Sequence, residues 1–238
     1  MRDSRVSGAI VPNSVQWNTR ELRSYLIEIT ASILSRLDEE TGKSLVDVIL
    51  DEAAQKGTGK WASQTALDTG APIPTINAAV ESRLLSALKA ERVTAAKVLG
   101  SASQFTGDKK ALVAAAEQAL YASKITSYAQ GLSLLKMASH EYNWNIDLPQ
   151  IVPVWRAGCI IRASLLGDIT QAYRRNPGLP NLLLDDVFSE AVLSRQAAWR
   201  EIVQTAVGLG IPMLATSASL AYFDASRSAV LPANLTQA

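Results

Sequence analysis

The sequence predicts an all-α protein whose longest helices are enclosed by their neighbours. Three observations predict it. Nearly every long segment repeats its apolar residues with helical period, no stretch alternates with period two, and no Asn-Gly or Asp-Gly pair marks a strand hairpin.

The elements follow in order. Ser44 is placed to cap a helix with Asp47 in its first turn. Leu45, Val46, Ile49, Leu50 and Ala53 form its stripe, and Gly57 ends it. A short helix over residues 63–69 is closed by Gly70 and Pro72. Thr75 opens another, with Ile76, Ala79, Val80, Leu84, Ala87 and Leu88 on one face. Residues 100–107 are a loop, and helical phase then runs unbroken over about residues 108–138, with Gly131 as its one soft point. Pro149 suits the first turn of a helix running through Trp155 and Ile161 to Tyr173. Two more helices are expected over 186–208 and 217–229, and Pro232 stops the last. The two halves have a loosely similar layout, without a demonstrable period.

Composition removes several functions. Of 238 residues 23 are basic and 22 acidic, for a net charge of +1, which is no footprint for nucleic acid and supplies no polybasic membrane patch. No run of about 18 apolar residues occurs, so no membrane span is expected. The single cysteine, Cys159, lies in an apolar run and is expected to be a buried, inert thiol. One cysteine also fits a reducing compartment. The start, Met1 to Gly8, has no apolar core for secretion, so the expected location is the cytoplasm, with an organellar address as the minority reading.

The stretch Gln55-Lys56-Gly57-Thr58-Gly59-Lys60-Trp61 departs from packing logic. Glycines let an anion approach the backbone, and the lysines and threonine supply charge and directed donors. It is no Walker A loop, since Lys60 is followed by Trp61, and no strand precedes it as a dinucleotide fingerprint requires. Two readings stay open from the residues: a helix C-cap with solvated lysines, or an anion site. Arg83 flanks the apolar face of its helix and needs a partner, either a core-edge carboxylate or a bidentate ligand anion. His140, at a helix end, reads as a cap or surface residue. Asp47 and Asp51 are expected to share one helix side, and Trp17, Trp61, Trp155 and Trp199 to be core or groove aromatics. No cysteine and histidine cluster has metal-ligand spacing.

These residues carry a resemblance. Leu45-Val46-Asp47-Val48-Ile49-Leu50-Asp51-Glu52-Ala53-Ala54, running into the Gln55–Trp61 stretch, is similar to 6-phosphogluconate dehydrogenase, the decarboxylating pentose phosphate enzyme. So are Glu21 to Thr30, Leu88 to Arg92, Trp155 to Arg162, Ala221 to Asp224 and Leu231 to Leu235. The likeness covers about residues 17–238 and is to the family's helical C-terminal domain, leaving residues 1–16 as an atypical N-terminal segment. Thr19-Arg20 and Ala62 depart from the family's usual residues.

The resemblance implies that Lys56, Thr58 and Arg83 hold the phosphate of 6-phosphogluconate, that NADP is the cofactor, and that the protein is a homodimer. It implies no catalytic residue within this stretch. The family's dinucleotide domain, its catalytic lysine and glutamate and its C-terminal tail have no counterpart in these 238 residues. The expectation is therefore a domain that binds substrate phosphate and dimerises but does not turn over alone. The alternative is a non-catalytic helical interaction module derived from that enzyme.

Overall fold

The structure, a computed structural model, describes residues 13–54 and 56–238. Those residues form helices joined by turns, with no strand beyond two isolated bridges, Ser24 with Ala163 and Leu37 with Ser44. The expected all-α class is the observed one.

The organising element is a 33-residue helix, Lys109–Glu141, about 50 Å long at the usual rise. Asp108 starts it, its Oδ1 accepting hydrogen bonds from the Lys110 and Ala111 amides. Along its length Ala115, Ala119, Ala122, Ile125, Ala129, Leu132 and Ala138 are buried. The alanines among them let other helices approach closely, which is why a helix without a strong polar face is stable here.

Two helix hairpins pack on it. The first joins Thr58–Thr69 to Pro74–Ser86 and the second joins Gln196–Leu209 to Leu214–Ser226. Each turns at a glycine in the left-handed region, Gly70 (φ 68°) and Gly210 (φ 70°), a conformation that favours glycine. The second helices of the two hairpins also lie against each other. The first hairpin is seated by Ala66, Ala71, Ile73 and Leu134, the second through the main core around Trp199 and Ile202.

One buried polar side chain fixes the first hairpin. Gln130, on the central helix, accepts from the Thr75 amide (2.9 Å) and donates to Thr75 Oγ1 (2.8 Å). The Pro74–Ser86 helix begins after Ile73, which has no side chain able to cap it. Gln130 satisfies an orphan amide of the first turn instead.

Several sequence expectations are corrected. The helix after Ser44 spans only Leu45–Val48, and Ile49, Leu50 and Ala53 are exposed. Its continuation is captured sideways: Ala53 N donates to Ser86 Oγ (2.9 Å), and Arg92 Nη2 donates to Asp51 O (2.8 Å). Asp51 therefore pairs with Lys89 and Arg92 rather than sharing a helix side with Asp47. The helix expected from Pro149 to Tyr173 is broken into Leu148–Ile151, a 3₁₀ turn over Val152–Trp155 and Leu165–Arg175. Pro153 removes a donor and Gly158 sits at φ 71°, so the helix cannot continue between them. The helix expected over 186–208 is split into Asp186–Leu193 and Gln196–Leu209.

On the Pro74–Ser86 helix the buried side is Thr75, with Ile76, Ala78 and Ser82 half-buried, whereas Ala79 and Leu84 face solvent, as does Leu88 beyond it. Cys159 is only half-buried, in the loop opened by the helix break. Trp199 is core, Trp17 and Trp155 pack at its edge, and Trp61 is exposed.

Candidate functional site

The glycine-lysine stretch lies at the start of a helix and not at the end of one. The expected short helix over 63–69 begins at Thr58, with Gly57 as its N-cap at φ 96°. Trp61 N donates to Gly57 O (2.9 Å), closing the first turn. The amides of the first turn have no partner inside the helix, and the helix dipole is positive there. An exposed N-terminus flanked by Lys56 and Lys60 is thus suited to an anion, because backbone donors and ammonium charge act on the same side. Between the two readings left open by the residues, this geometry removes the C-cap.

Arg83 lies in the last turn of Pro74–Ser86 and is exposed. Its Nη2 donates to the Ala54 carbonyl, two residues before Lys56. Gly59, directly after Thr58, rests against Val80, one turn before Arg83. A Cβ on Gly59 would lie 2.9 Å from Val80 Cγ2. These two contacts, one on each side of Lys56, bring Arg83 and the Lys56–Thr58 stretch to the same corner. The core-edge carboxylate expected as one partner of Arg83 is not what it meets within the chain: it holds a backbone carbonyl.

Around this corner a latch fixes the entering chain. Arg92 donates to Asp51 O and Ser86 O, and the Asp51 carboxylate meets Lys89 and Arg92 at 3.3 Å each. The hydrogen bond from Lys89, and then that from Arg92, hold the Asp51 carboxyl below the usual carboxylate range. Sequence reading missed this latch. The signal was available in Asp51, Lys89 and Arg92, but its long-range pairing depends on a tertiary turn. His140 is exposed in the last turn of the central helix.

Among the described residues no group of three histidine, cysteine, aspartate or glutamate side chains could hold a metal. The Gly57 and Gly59 pair is no dinucleotide fingerprint: it opens a helix, and no strand occurs among the described residues to precede it. No helix among them is long and apolar enough to cross a membrane.

The fold and the corner define an all-helical domain built on one long central helix, with an anion-receptive helix start at one corner. The family described as 6-phosphogluconate dehydrogenase, C-terminal domain, matches residues 11–238, and the chain belongs to that family. A Bacillus subtilis NADP(+)-dependent, decarboxylating 6-phosphogluconate dehydrogenase is 53% identical over 225 residues, covering 94% of this chain and 48% of that protein. The Schizosaccharomyces pombe decarboxylating enzyme is 52% identical over 224 residues, covering 94% and 45%. A Plasmodium falciparum 6-phosphogluconate dehydrogenase, solved in apo form, with its cofactor NADP+ and with its substrate 6-phosphogluconate, superposes with a TM-score of 0.92 at 43% identity. That superposition covers 96% of this chain and 50% of that one. The chain spans about half the length of the relatives it matches.

Proposed function

We propose that this chain is the part of a decarboxylating 6-phosphogluconate dehydrogenase that grips the phosphate of 6-phosphogluconate and forms a homodimer. In this reading Lys56 supplies an ammonium, Thr58 a hydroxyl and Arg83 a guanidinium to one dianion. The observation that carries it is the exposed start of the Thr58–Thr69 helix, with Lys56 beside it and Arg83 held on the Ala54 carbonyl at the same corner. The free amides of that first turn add donors that need no reorganisation on binding. Arg83 would exchange a neutral carbonyl for a phosphate, a stronger charge-assisted partner.

Oxidation of the sugar acid by NADP requires a dinucleotide-binding half, which the described residues do not form. The chain's own contribution is binding and orientation, so these 238 residues are expected to bind substrate without producing NADPH. Calorimetry on the recombinant chain with 6-phosphogluconate tests the site. Arg83→Ala should weaken binding by about tenfold or more, and gluconate, which lacks the phosphate, should bind weakly to both forms. Equal affinities of the parent and Arg83→Ala chains for 6-phosphogluconate would remove Arg83 from the site. Light scattering tests the dimer, and a strict monomer at micromolar concentration would overturn that part of the proposal.

A further inference from the structure

Away from that corner, a cavity of about 490 Å³ opens beside the middle of the central helix. Its walls are mainly apolar, formed by Leu22, Ile27, Ile76, Leu132 and Trp155 among others. Polar side chains interrupt them, and two of these, Ser123 and Lys124, lack partners they could have. Ser123 is 8% exposed, and its buried hydroxyl has no hydrogen-bond partner among the described residues. Lys124 has no carboxylate within ion-pair distance there, and its ammonium makes one long hydrogen bond to the Leu22 carbonyl (3.4 Å). Burial alone pushes its pKa down to about 8, so at neutral pH it stays charged.

A buried hydroxyl without a partner and a half-buried cation held by one long hydrogen bond are costly features in a native fold. One ligand chemistry satisfies both: an acceptor-rich anionic head on an apolar body. We infer that this cavity is a binding site for an amphiphilic organic carboxylate, whose head accepts hydrogen bonds from Lys124 Nζ and Ser123 Oγ while its chain covers the apolar walls. Most of the other polar side chains lining it are committed elsewhere, Ser24 Oγ to Leu22 O and Ser127 Oγ to Lys124 O among them, whereas half-buried Thr216 adds a hydroxyl. Tyr128 Oη donates to Ile161 O, and Thr75 is tied to Gln130. The head group is placed at the turn bearing Ser123 and Lys124, which carries the cation of the lining and its buried unpartnered hydroxyl. This site stands independently of the phosphate corner.

The test uses the full chain and three probes with the same ten-carbon tail: decanoate, decanol and decyltrimethylammonium, each below the concentration at which it self-associates. Calorimetry at pH 7 should show one saturable decanoate site, at least tenfold tighter than the other two probes. Lys124→Met should abolish that preference and keep decanol binding. Should Lys124→Met fail to fold, Ser123→Ala reads the same head-group contact through a severalfold loss for decanoate alone. Gly131 lines the cavity, and the nearest atom to a Cβ added there is Ile76 Cδ1 at 3.9 Å. Gly131→Leu should therefore fill the space and block all three probes while the circular dichroism melt stays cooperative. Equal affinity for the three probes, no saturable binding, or decanoate binding unchanged in Gly131→Leu would each overturn the inference.

Discussion

The two hairpins on the central helix carry the same turn and end in different chemistry. Gly70-Ala71-Pro72-Ile73 and Gly210-Ile211-Pro212-Met213 occupy matching positions. The residue before each second helix has nearly the same backbone, Ile73 at φ −124°, ψ 50° and Met213 at φ −129°, ψ 56°. The same offset aligns Gln64-Thr65-Ala66 with Gln204-Thr205-Ala206 and Ser86 with Ser226. It also aligns Gly59 with Trp199 and Lys60 with Arg200. In the second hairpin this end is shut: Trp199 is fully buried and lies 5.8 Å from the Phe223 ring, and Arg200 grips Asp224 with two hydrogen bonds. In the first it is open, since glycine replaces tryptophan and Leu84 replaces the aspartate. One frame thus gives a structural strut where its mouth is filled, and an accessible helix start where it is not.

Filling or emptying each mouth separates the two roles. The largest effect is expected from Trp199→Ala, which removes a fully buried indole and its hydrogen bond to Thr216 O. It should cost about 3–5 kcal/mol in urea unfolding, whereas Trp61→Ala, on a residue 71% exposed, should stay within about 0.5 kcal/mol. Next comes Gly59→Ala. Its added methyl gains helix propensity but crowds Val80, for a net loss of about 1 kcal/mol. Val80→Ala in the same chain should recover most of it, and no recovery would show that crowding is not the cause.

Asp224→Asn should have a smaller effect, about 0.5–1 kcal/mol and reduced by salt, because the pair is partly exposed. Its pH dependence has a defined sign. The hydrogen bond from Arg200, followed by that from Arg227, holds the Asp224 carboxyl below its usual range. The stabilisation is present above the unfolded carboxylate pKa and is lost as pH falls through the depressed folded value. An acid titration of stability should therefore be shallower in Asp224→Asn below about pH 4. The smallest effect is expected from Leu84→Asp, which places a carboxylate opposite Lys60 on the open hairpin. It should change stability by less than about 0.5 kcal/mol, while weakening 6-phosphogluconate binding through charge repulsion if the corner binds phosphate.

The pattern of legible and illegible features is consistent. The central helix was readable almost to its ends, because Asp108 caps it and thirty residues of helical phase leave no other structure. The Gly70 and Gly100 boundaries were readable for the same reason: a positive φ favours glycine whatever surrounds it. The segment from Ile49 to Lys56 was not. Its apolar stripe predicts helix, but Ser86, Arg83 and Arg92, some thirty to forty positions later, bind its backbone groups first. The site followed that error. With the helix carried through to Gly57 the glycine-lysine stretch looks like a C-terminus, and only the true start at Thr58 turns the helix dipole toward Lys56.

By itself, then, the sequence determined the helical class, the long central helix, the glycine turns and the residue types at the corner of Lys56 and Arg83. All of these rest on interactions within a few residues of one another. The tertiary structure alone decided where the weaker helices stop, which face of Pro74–Ser86 is buried, and that Arg83 reaches the Lys56 stretch. Those outcomes are competitions between local hydrogen bonds and donors that are distant along the chain, and they are resolved only once packing has brought the competitors together.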